Sequence, residues 1–239
     1  MLSIDTLRPD DLPATAALHE ANLRMGLFPK MGSSFLQHYH QSFADSPFGI
    51  ALVAHADDGV MGALFGTISN PDHYHWVVQN RGVELACHGS AALLLRPHLA
   101  WMFASTRMGR YVNGLRRHMV PAPATSAPTQ QLPVLSHIVT TQAQRRQRIG
   151  RELVDEFRRE ARIAGAHWAS LITQEGGLGT PFFERLGCTC VARRQGFDGC
   201  FVREYHMNLD EGELHDEGSH VDTGWIPVGS SGQLDRGLH

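Results

Sequence analysis

Four arginines in one short segment have the clearest chemical potential in this sequence: Arg145, Arg146, Arg148 and Arg151. They follow an apolar run, Leu132 to Thr140, and lead into a pattern typical of a helix. The start of a helix presents unpaired backbone N–H groups and the positive end of the helix dipole, and both attract phosphate. Guanidinium groups add paired hydrogen bonds to phosphate oxygens. The segment therefore predicts a pyrophosphate site, with a solvated basic helix start as the alternative.

A histidine in the apolar run is the candidate for proton transfer. His137 lies in the predicted strand, and imidazoles titrate near neutral pH. Side chains alternate along a strand, so Ser136 and His137 are expected to face opposite sides, and only one of them can face a ligand. Residues 132–140 contain no carboxylate. We therefore predict His137 as the general base, with Glu175 in reserve and a packed structural histidine as the alternative.

Two further pairs of histidines do not indicate a metal site. The i, i+2 spacing of these pairs sends their side chains apart on a helix, so we expect surface residues: His38 with His40, and His73 with His75. The four cysteines are few and irregularly spaced, which favours neither zinc binding nor a disulfide framework. We expect no metal and a reducing, cytoplasmic environment.

The overall composition narrows the classes of partner. A chain of 239 residues with 42% apolar residues can bury an ordinary core. Its net charge of −3 gives no basic surface of the kind that nucleic acid requires. The most apolar run, 91–103, is interrupted by Arg96, Pro97 and His98, so no membrane span is expected.

Hydrophobic periodicity divides the chain into alternating strands and helices. It predicts strands at 2–7, 49–55, 60–68, 132–140, 166–173, 190–193 and 201–209. Helices are predicted after Asp10 or Asp11, at 33–43, within 70–119, from Ile149 and at 181–186. This order indicates an α/β (α+β) fold with a mixed, mostly antiparallel central sheet and helices on both faces. Residues 1–209 form the predicted domain, with a helical insertion at about 70–120, and 210–239 is predicted to be a disordered acidic tail.

The chain resembles the GNAT superfamily of N-acetyltransferases. The family's Arg/Gln-x-x-Gly-x-Gly/Ala loop between a strand and a helix is matched by Arg145-Arg146-Gln147-Arg148-Ile149-Gly150. A later family segment is matched by Phe182-Phe183-Glu184-Arg185-Leu186-Gly187-Cys188, and the first strand and helix by Leu7 to Leu12. Residues 35–39 and the insertion resemble a bacterial subgroup, and the resemblance covers about residues 2–209.

The resemblance implies an acyl-CoA N-acyltransferase fold and an acetyl-CoA site. In the family, the central strand parts from its neighbour so that its backbone pairs with the pantetheine arm, and the loop amides bind the pyrophosphate. The expected CoA-binding residues are Ile138, Val139, Thr140, Arg145, Arg146, Gln147, Arg148, Ile149, Gly150, Arg151 and Phe183. The implied reaction is direct transfer of an acetyl or short acyl group to a primary amine of a small molecule or amino sugar. The resemblance is also compatible with a homodimer.

Two departures from the family pattern bear on that expectation. Arg148 replaces the first glycine of the loop motif, and its Cβ restricts the backbone if the position needs a positive φ. Phe183 replaces a tyrosine that many relatives use to protonate the departing thiolate. Both suit an alternative, a non-catalytic acyl-CoA-binding sensor or partner subunit. A nucleotide-phosphate binder of another fold is a third hypothesis.

Overall fold

The fold is built on one seven-stranded sheet. The computed structural model describes residues 2–23, 28–57, 59–94, 96, 100–101, 132–141, 148–195 and 199–210. The strands in these ranges are β1 (Ser3–Thr6), β2 (Gly49–Ala56), β3 (Gly59–Thr67), β4 (Val134–Thr140), β5 (Trp168–Gln174), β6 (Thr189–Gln195) and β7 (Phe201–Asn208). The α-helices are α1 (Leu12–Asn22), α2 (Ser33–Asp45), α3 (Asn70–Asn80), α4 (Gly82–Leu94), α5 (Ile149–Ile163) and α6 (Gly179–Arg185). Each of the seven predicted strands is confirmed.

The strand order is β1-β2-β3-β4-β5-β7-β6. Only β4 and β5 run parallel, and the other five neighbouring pairs are antiparallel. The prediction of a mixed, mostly antiparallel sheet is therefore confirmed. The helices α3 and α4 occupy the described part of the predicted insertion. Apart from residues 96, 100 and 101, the rest of that insertion lies outside the described residues, and so does the predicted tail 210–239 beyond its first residue, Asp210.

Helix α5 packs its apolar side chains against one face of the sheet. Its buried stripe is the one that the 3.6-residue period predicts: Ile149, Leu153, Val154, Phe157 and Ala161. Two glycines of β3 let the helix approach closely. A Cβ at Gly66 would lie 2.6 Å from Cε2 of Phe157, and one at Gly62 would lie 3.2 Å from Cδ1 of Leu153. The close fit makes this face the main apolar core, to which α6 adds Phe183.

Helices α1 and α2 cover the opposite face, and their buried stripes are partly polar. In α1 the buried residues are Leu12, Thr15, Ala16 and His19, and in α2 they are Phe35, Leu36, His40, Ser42 and Phe43. The prediction of helices on both faces is confirmed. Within the described ranges, no helix has the length and apolar character needed to cross a membrane.

A one-residue bulge interrupts β4. Phe65 pairs with His137 and Gly66 pairs with Leu135, so Ser136 has no partner in the register. Leu135 and Val139 are four residues apart and would share a face of a regular strand. Instead, Leu135 packs in the α5 core and Val139 packs in the cluster under α1 and α2. The simple alternation predicted for this strand is therefore wrong at this point, because the bulge reverses its phase.

Candidate active site

The parallel strands β4 and β5 separate after a short paired segment. Their ladder consists of Val134 with Ser170 and Leu135 with Leu171. Beyond these two pairs, the β5-facing side of β4 has no ladder partner among the described residues. The strands thus open into a cleft at their carboxyl ends, which is the end that leads to α5. Backbone groups in such a cleft can pair with an extended ligand.

The start of α5 closes that end of the cleft. Arg148 has φ 62, the only positive φ of a non-glycine residue in the part of the chain that the structure describes. The first helical bonds run from the amides of Arg151 and Glu152 to the carbonyl of Arg148. The amides of Ile149 and Gly150 precede these donors and have no acceptor within the helix. The backbone therefore takes a positive φ at this position, with an arginine where the family motif has a glycine.

Gly150 lies between the end of β4 and the start of α6. A Cβ at this position would lie 3.2 Å from Cζ of Phe182 and 3.9 Å from Cγ2 of Thr140. The aromatic ring of Phe182 thus borders the helix start. Phe183, the residue singled out in the sequence, is 4% exposed and packs in the α5 core.

The remaining residues expected to bind CoA are dispersed around this cleft. Ile138 packs on the α5 side of the sheet, Val139 is buried under α1 and α2, and Thr140 ends β4. Arg151 is exposed on the first turn of α5. Arg145, Arg146 and Gln147 lie outside the described residues.

His137 faces α1 and α2 and contacts two titratable side chains. Its Nε2 lies 2.9 Å from the hydroxyl of Tyr39, and its ring centroid lies 4.9 Å from that of His19. Nδ1 of His137 has no hydrogen-bond partner among the described residues. Burial, followed by the proximity of His19, lowers the pKa of His137 to about 3. The imidazole is therefore neutral at pH 7, and one of its two ring nitrogens is unprotonated.

Two further histidines lie behind His137, and the sequence reasoning missed both. His19 is 1% exposed and His40 is 0% exposed, and a hydrogen bond of 2.9 Å joins Nδ1 of His19 and Nε2 of His40. Burial lowers the pKa of His19 to about 4 and that of His40 to about 2. His40 also stacks on Phe65 of β3 at 4.0 Å.

The prediction that the two histidine pairs lie on the surface is wrong for one member of each. His40 is buried, and so is His73, which stacks on Phe43 at 4.6 Å. The i, i+2 spacing does separate the members of each pair, but it turns one of them inward. His38 is partly exposed and binds Glu84 at 2.8 Å. No group of three or more His, Cys, Asp or Glu side chains in the described ranges is arranged to hold a metal ion.

Glu175, the reserve candidate for the base, is occupied by two arginines. Its oxygens lie 2.8 Å from Nη2 of Arg193 and 2.8 Å from Nη2 of Arg203. Hydrogen bonds from Arg193 and then Arg203 lower the pKa of this carboxyl group. Both of its oxygens are paired with arginines, so Glu175 is not free to act as a base, and His137 remains the candidate.

Known structures share this fold. No protein-family model and no curated protein matches the sequence. A protein from Desulfovibrio desulfuricans assigned to the GNAT family of acetyltransferases has a TM-score of 0.53 and 14% identity, covering 88% of this chain and 100% of its own. Ard1 from Thermoplasma volcanium has a TM-score of 0.53 and 11% identity, covering 88% and 99%. The ribosomal-protein-S18-alanine N-acetyltransferase from Escherichia coli has a TM-score of 0.51 and 12% identity, covering 91% and 100%. The chain thus has the fold of the GNAT acetyltransferases, as the resemblance implied.

Proposed function

We propose that this protein is an N-acetyltransferase that transfers an acetyl group directly from acetyl-CoA to a primary amine. The proposal depends on one observation, the parting of β4 and β5 just before a helix start with a left-handed residue. A parted strand offers backbone groups to an extended amide-bearing arm, and a helix start offers N–H groups to phosphate. CoA carries both features, a pantetheine arm and a pyrophosphate. The GNAT fold supports the same conclusion.

The donor would lie along the cleft from β4 to α5. The backbone of Ile138, Val139 and Thr140 would hold the pantetheine arm. The amides of Ile149 and Gly150 would bind the pyrophosphate, with charge from Arg145, Arg146, Arg148 and Arg151 and a contribution from Gln147. Phe182 and Phe183 would form the apolar wall beneath this site. No metal takes part in this scheme.

The chemistry requires one proton acceptor. The amine nitrogen attacks the thioester carbonyl carbon, a C–N bond forms, and the C–S bond breaks. Nδ1 of His137 accepts the proton of the nitrogen once bonding to the carbonyl carbon has made it acidic, while Tyr39 accepts the Nε2–H. CoA leaves as a thiolate and takes a proton from water. Because a free thiol has a pKa of about 8.5, this leaving group needs no tyrosine at position 183.

The acceptor amine must approach from the side of α1 and α2, because His137 faces that side. We propose a small molecule or an amino sugar as the acceptor. Purified protein should first be titrated with acetyl-CoA by calorimetry and then assayed for CoA release with a panel of amines. A peptide with an N-terminal alanine belongs in the panel, because a structural neighbour is named for that acceptor. Absence of heat from folded protein would overturn the proposal.

A second outcome of the same assays has its own structural support. Binding of acetyl-CoA without turnover on any amine would indicate an acyl-CoA-binding sensor or partner subunit. The buried Phe183 favours that alternative, since it provides no proton donor at this position.

His137→Gln separates catalysis from donor binding. We expect kcat to fall by about 10²- to 10⁴-fold, the usual contribution of a general base, with unchanged affinity for acetyl-CoA. His167→Gln is the matched control, because His167 is exposed at the opposite end of the sheet, just before β5. Equal kcat values in the two variants would exclude His137 as the base.

A further inference from the structure

A hydrogen-bonded chain leads from the interior of the α1–α2 pair to His137. Oγ1 of Thr15 lies 3.2 Å from Nδ1 of His40, and Nε2 of His40 lies 2.9 Å from Nδ1 of His19. All three side chains are fully buried. The ring of His19 then packs against the ring of His137, tilted by 55°. The acetyl-transfer scheme above uses neither His19 nor His40.

The hydrogen bonds have a single direction once the Thr15 hydroxyl is assigned as the donor to the carbonyl of Leu12. The Thr15 hydroxyl donates its single hydrogen to the carbonyl of Leu12 at 3.2 Å, so it must accept from Nδ1–H of His40. A neutral His40 then has an unprotonated Nε2, which accepts from Nδ1–H of His19. His19, also neutral, is left with an unprotonated Nε2. One threonine hydroxyl thus determines the tautomer of two histidines.

This assignment matters for the ring next to it. The titratable groups in contact with His19 are His40 on α2 and His137 on β4. Tyr39 of α2 contacts His40 and His137, and the ring of Phe65 on β3 stacks on His40. If His19 were protonated, its positive charge would oppose proton uptake by His137, because the two ring centroids lie 4.9 Å apart. In the part of the chain that the structure describes, Nε2 of His19 has no hydrogen-bond acceptor.

We propose that Thr15, His40 and His19 form a directional relay that holds His19 neutral in its Nδ1–H form beside the general base. His19 and His40 are then positioning residues, and Thr15 sets the direction. The inference rests on the proposed role of His137, but its central statement concerns tautomers and can be tested without any substrate.

The first test is nitrogen NMR of the full chain labelled with ¹⁵N-histidine at neutral pH. Protonated and unprotonated ring nitrogens have well-separated chemical shifts, so the tautomer of each ring is read directly. His19→Gln and His40→Gln samples assign the signals. We expect both rings to carry their proton on Nδ1. A proton on Nε2 of either ring would overturn the proposal, whether or not the protein acetylates an amine.

The second test changes the direction of the relay. Thr15→Val removes the acceptor of His40, so we expect the protons of His40 and His19 to move to Nε2, which places an N–H on the ring beside His137. Unchanged tautomers in this variant would overturn the role of Thr15. Thr15→Ser keeps a hydroxyl and should retain the wild-type tautomers.

The same variants test the link to catalysis. We expect Thr15→Val to lower kcat roughly tenfold, a part of what a general base contributes, and Thr15→Ser to restore it. The KM for acetyl-CoA should stay constant, because the relay lies away from the start of α5. A switched tautomer with unchanged kcat would show that the relay does not position the base. If the wild-type protein acetylates no amine, that result counts against the acetyltransferase assignment and not against the tautomer assignment.

Discussion

The two faces of the central sheet are both covered by helices, but the buried material differs. Under α5 the interior is hydrocarbon, with β3 glycines that bring Phe157 and Leu153 close to the strand. Under α1 and α2 the interior includes three imidazoles, those of His19, His40 and His137. Burial keeps all three neutral, as their lowered pKa values show.

This difference separates stability from chemistry. Burial of an apolar side chain stabilises the fold, whereas burial of an imidazole destabilises it unless the ring is hydrogen-bonded. The imidazoles under α1 and α2 are buried despite this cost, and they lie next to the cleft between β4 and β5. We infer that α5 holds the sheet together while the opposite layer prepares a reacting side chain. Four experiments test this contrast.

The largest expected effect is on the hydrocarbon face. Leu153→Ala removes a fully buried side chain, and we expect the free energy of unfolding to fall by about 2–5 kcal/mol. Leu94→Ala is the matched control, because Leu94 is 83% exposed and should change the value by less than about 0.5 kcal/mol. Chemical denaturation measures both. Similar changes in the free energy of unfolding for the two variants would contradict the structural role of α5.

Close packing on the same face predicts a second loss. A Cβ at Gly66 would lie 2.6 Å from the Phe157 ring and 2.9 Å from the carbonyl oxygen of Val134, so Gly66→Ala should cost about 1–3 kcal/mol. At Gly82 the nearest atom would be 3.8 Å away, so Gly82→Ala should be neutral or stabilising. Denaturation midpoints of the two variants should therefore move apart. A neutral Gly66→Ala would mean that α5 does not need this approach.

The polar face predicts a pH dependence of stability. Unfolded histidines take up protons near pH 6.5, whereas folded His19 and His40, with pKa values of about 4 and about 2, do not. The unfolded chain therefore binds more protons below pH 6.5, and stability falls as the pH is lowered from there.

The slope should reach up to about 1.4 kcal/mol per pH unit for each such histidine. His40→Gln should flatten it by one histidine's share, and the exposed His167→Gln should not. Unfolding curves between pH 7 and pH 5 measure this. An equal slope in wild type and His40→Gln would contradict the buried neutral state.

The smallest effect is expected at the start of α5. Arg148 has φ 62, a conformation that costs a side-chain-bearing residue roughly 1–2 kcal/mol. Arg148→Gly should remove that strain but gain unfolded-state entropy, so stability should rise by no more than about 1 kcal/mol. Arg151→Gly, inside the helix, should instead lower stability by about 0.5–1 kcal/mol. Thermal unfolding distinguishes the two signs, and a loss in both variants would mean that Arg148 is unstrained.

The sequence predicted the α5 side well because its signals are local. A 3.6-residue stripe identifies the buried positions of α5, and the loop motif places Arg148 where a positive φ is found. The strand cleft before it followed from the family resemblance alone, because pairing between β4 and β5 depends on residues far apart in the chain.

The cluster of His19, His40 and His137 was harder to predict because its members come from distant segments. His19 and His40 are 21 residues apart, and His137 comes almost a hundred residues later. The i, i+2 argument considered each pair alone and ignored the stripe to which its members belong. A signal was present: His19 lies four residues after Thr15 on the buried side of α1, and His40 lies four residues after Leu36 on that of α2.

The bulge at Ser136 has a consequence for how this protein should be aligned with others. In a regular strand, two residues separated by an even number of positions face the same side of the sheet. Across this bulge the alternation changes phase, so two such residues can face opposite sides. An alignment with any relative whose strand is regular needs a one-residue gap at Ser136. Without that gap, His137 is equated with a residue of the wrong layer, and its candidacy as a proton acceptor is lost before any chemistry is compared.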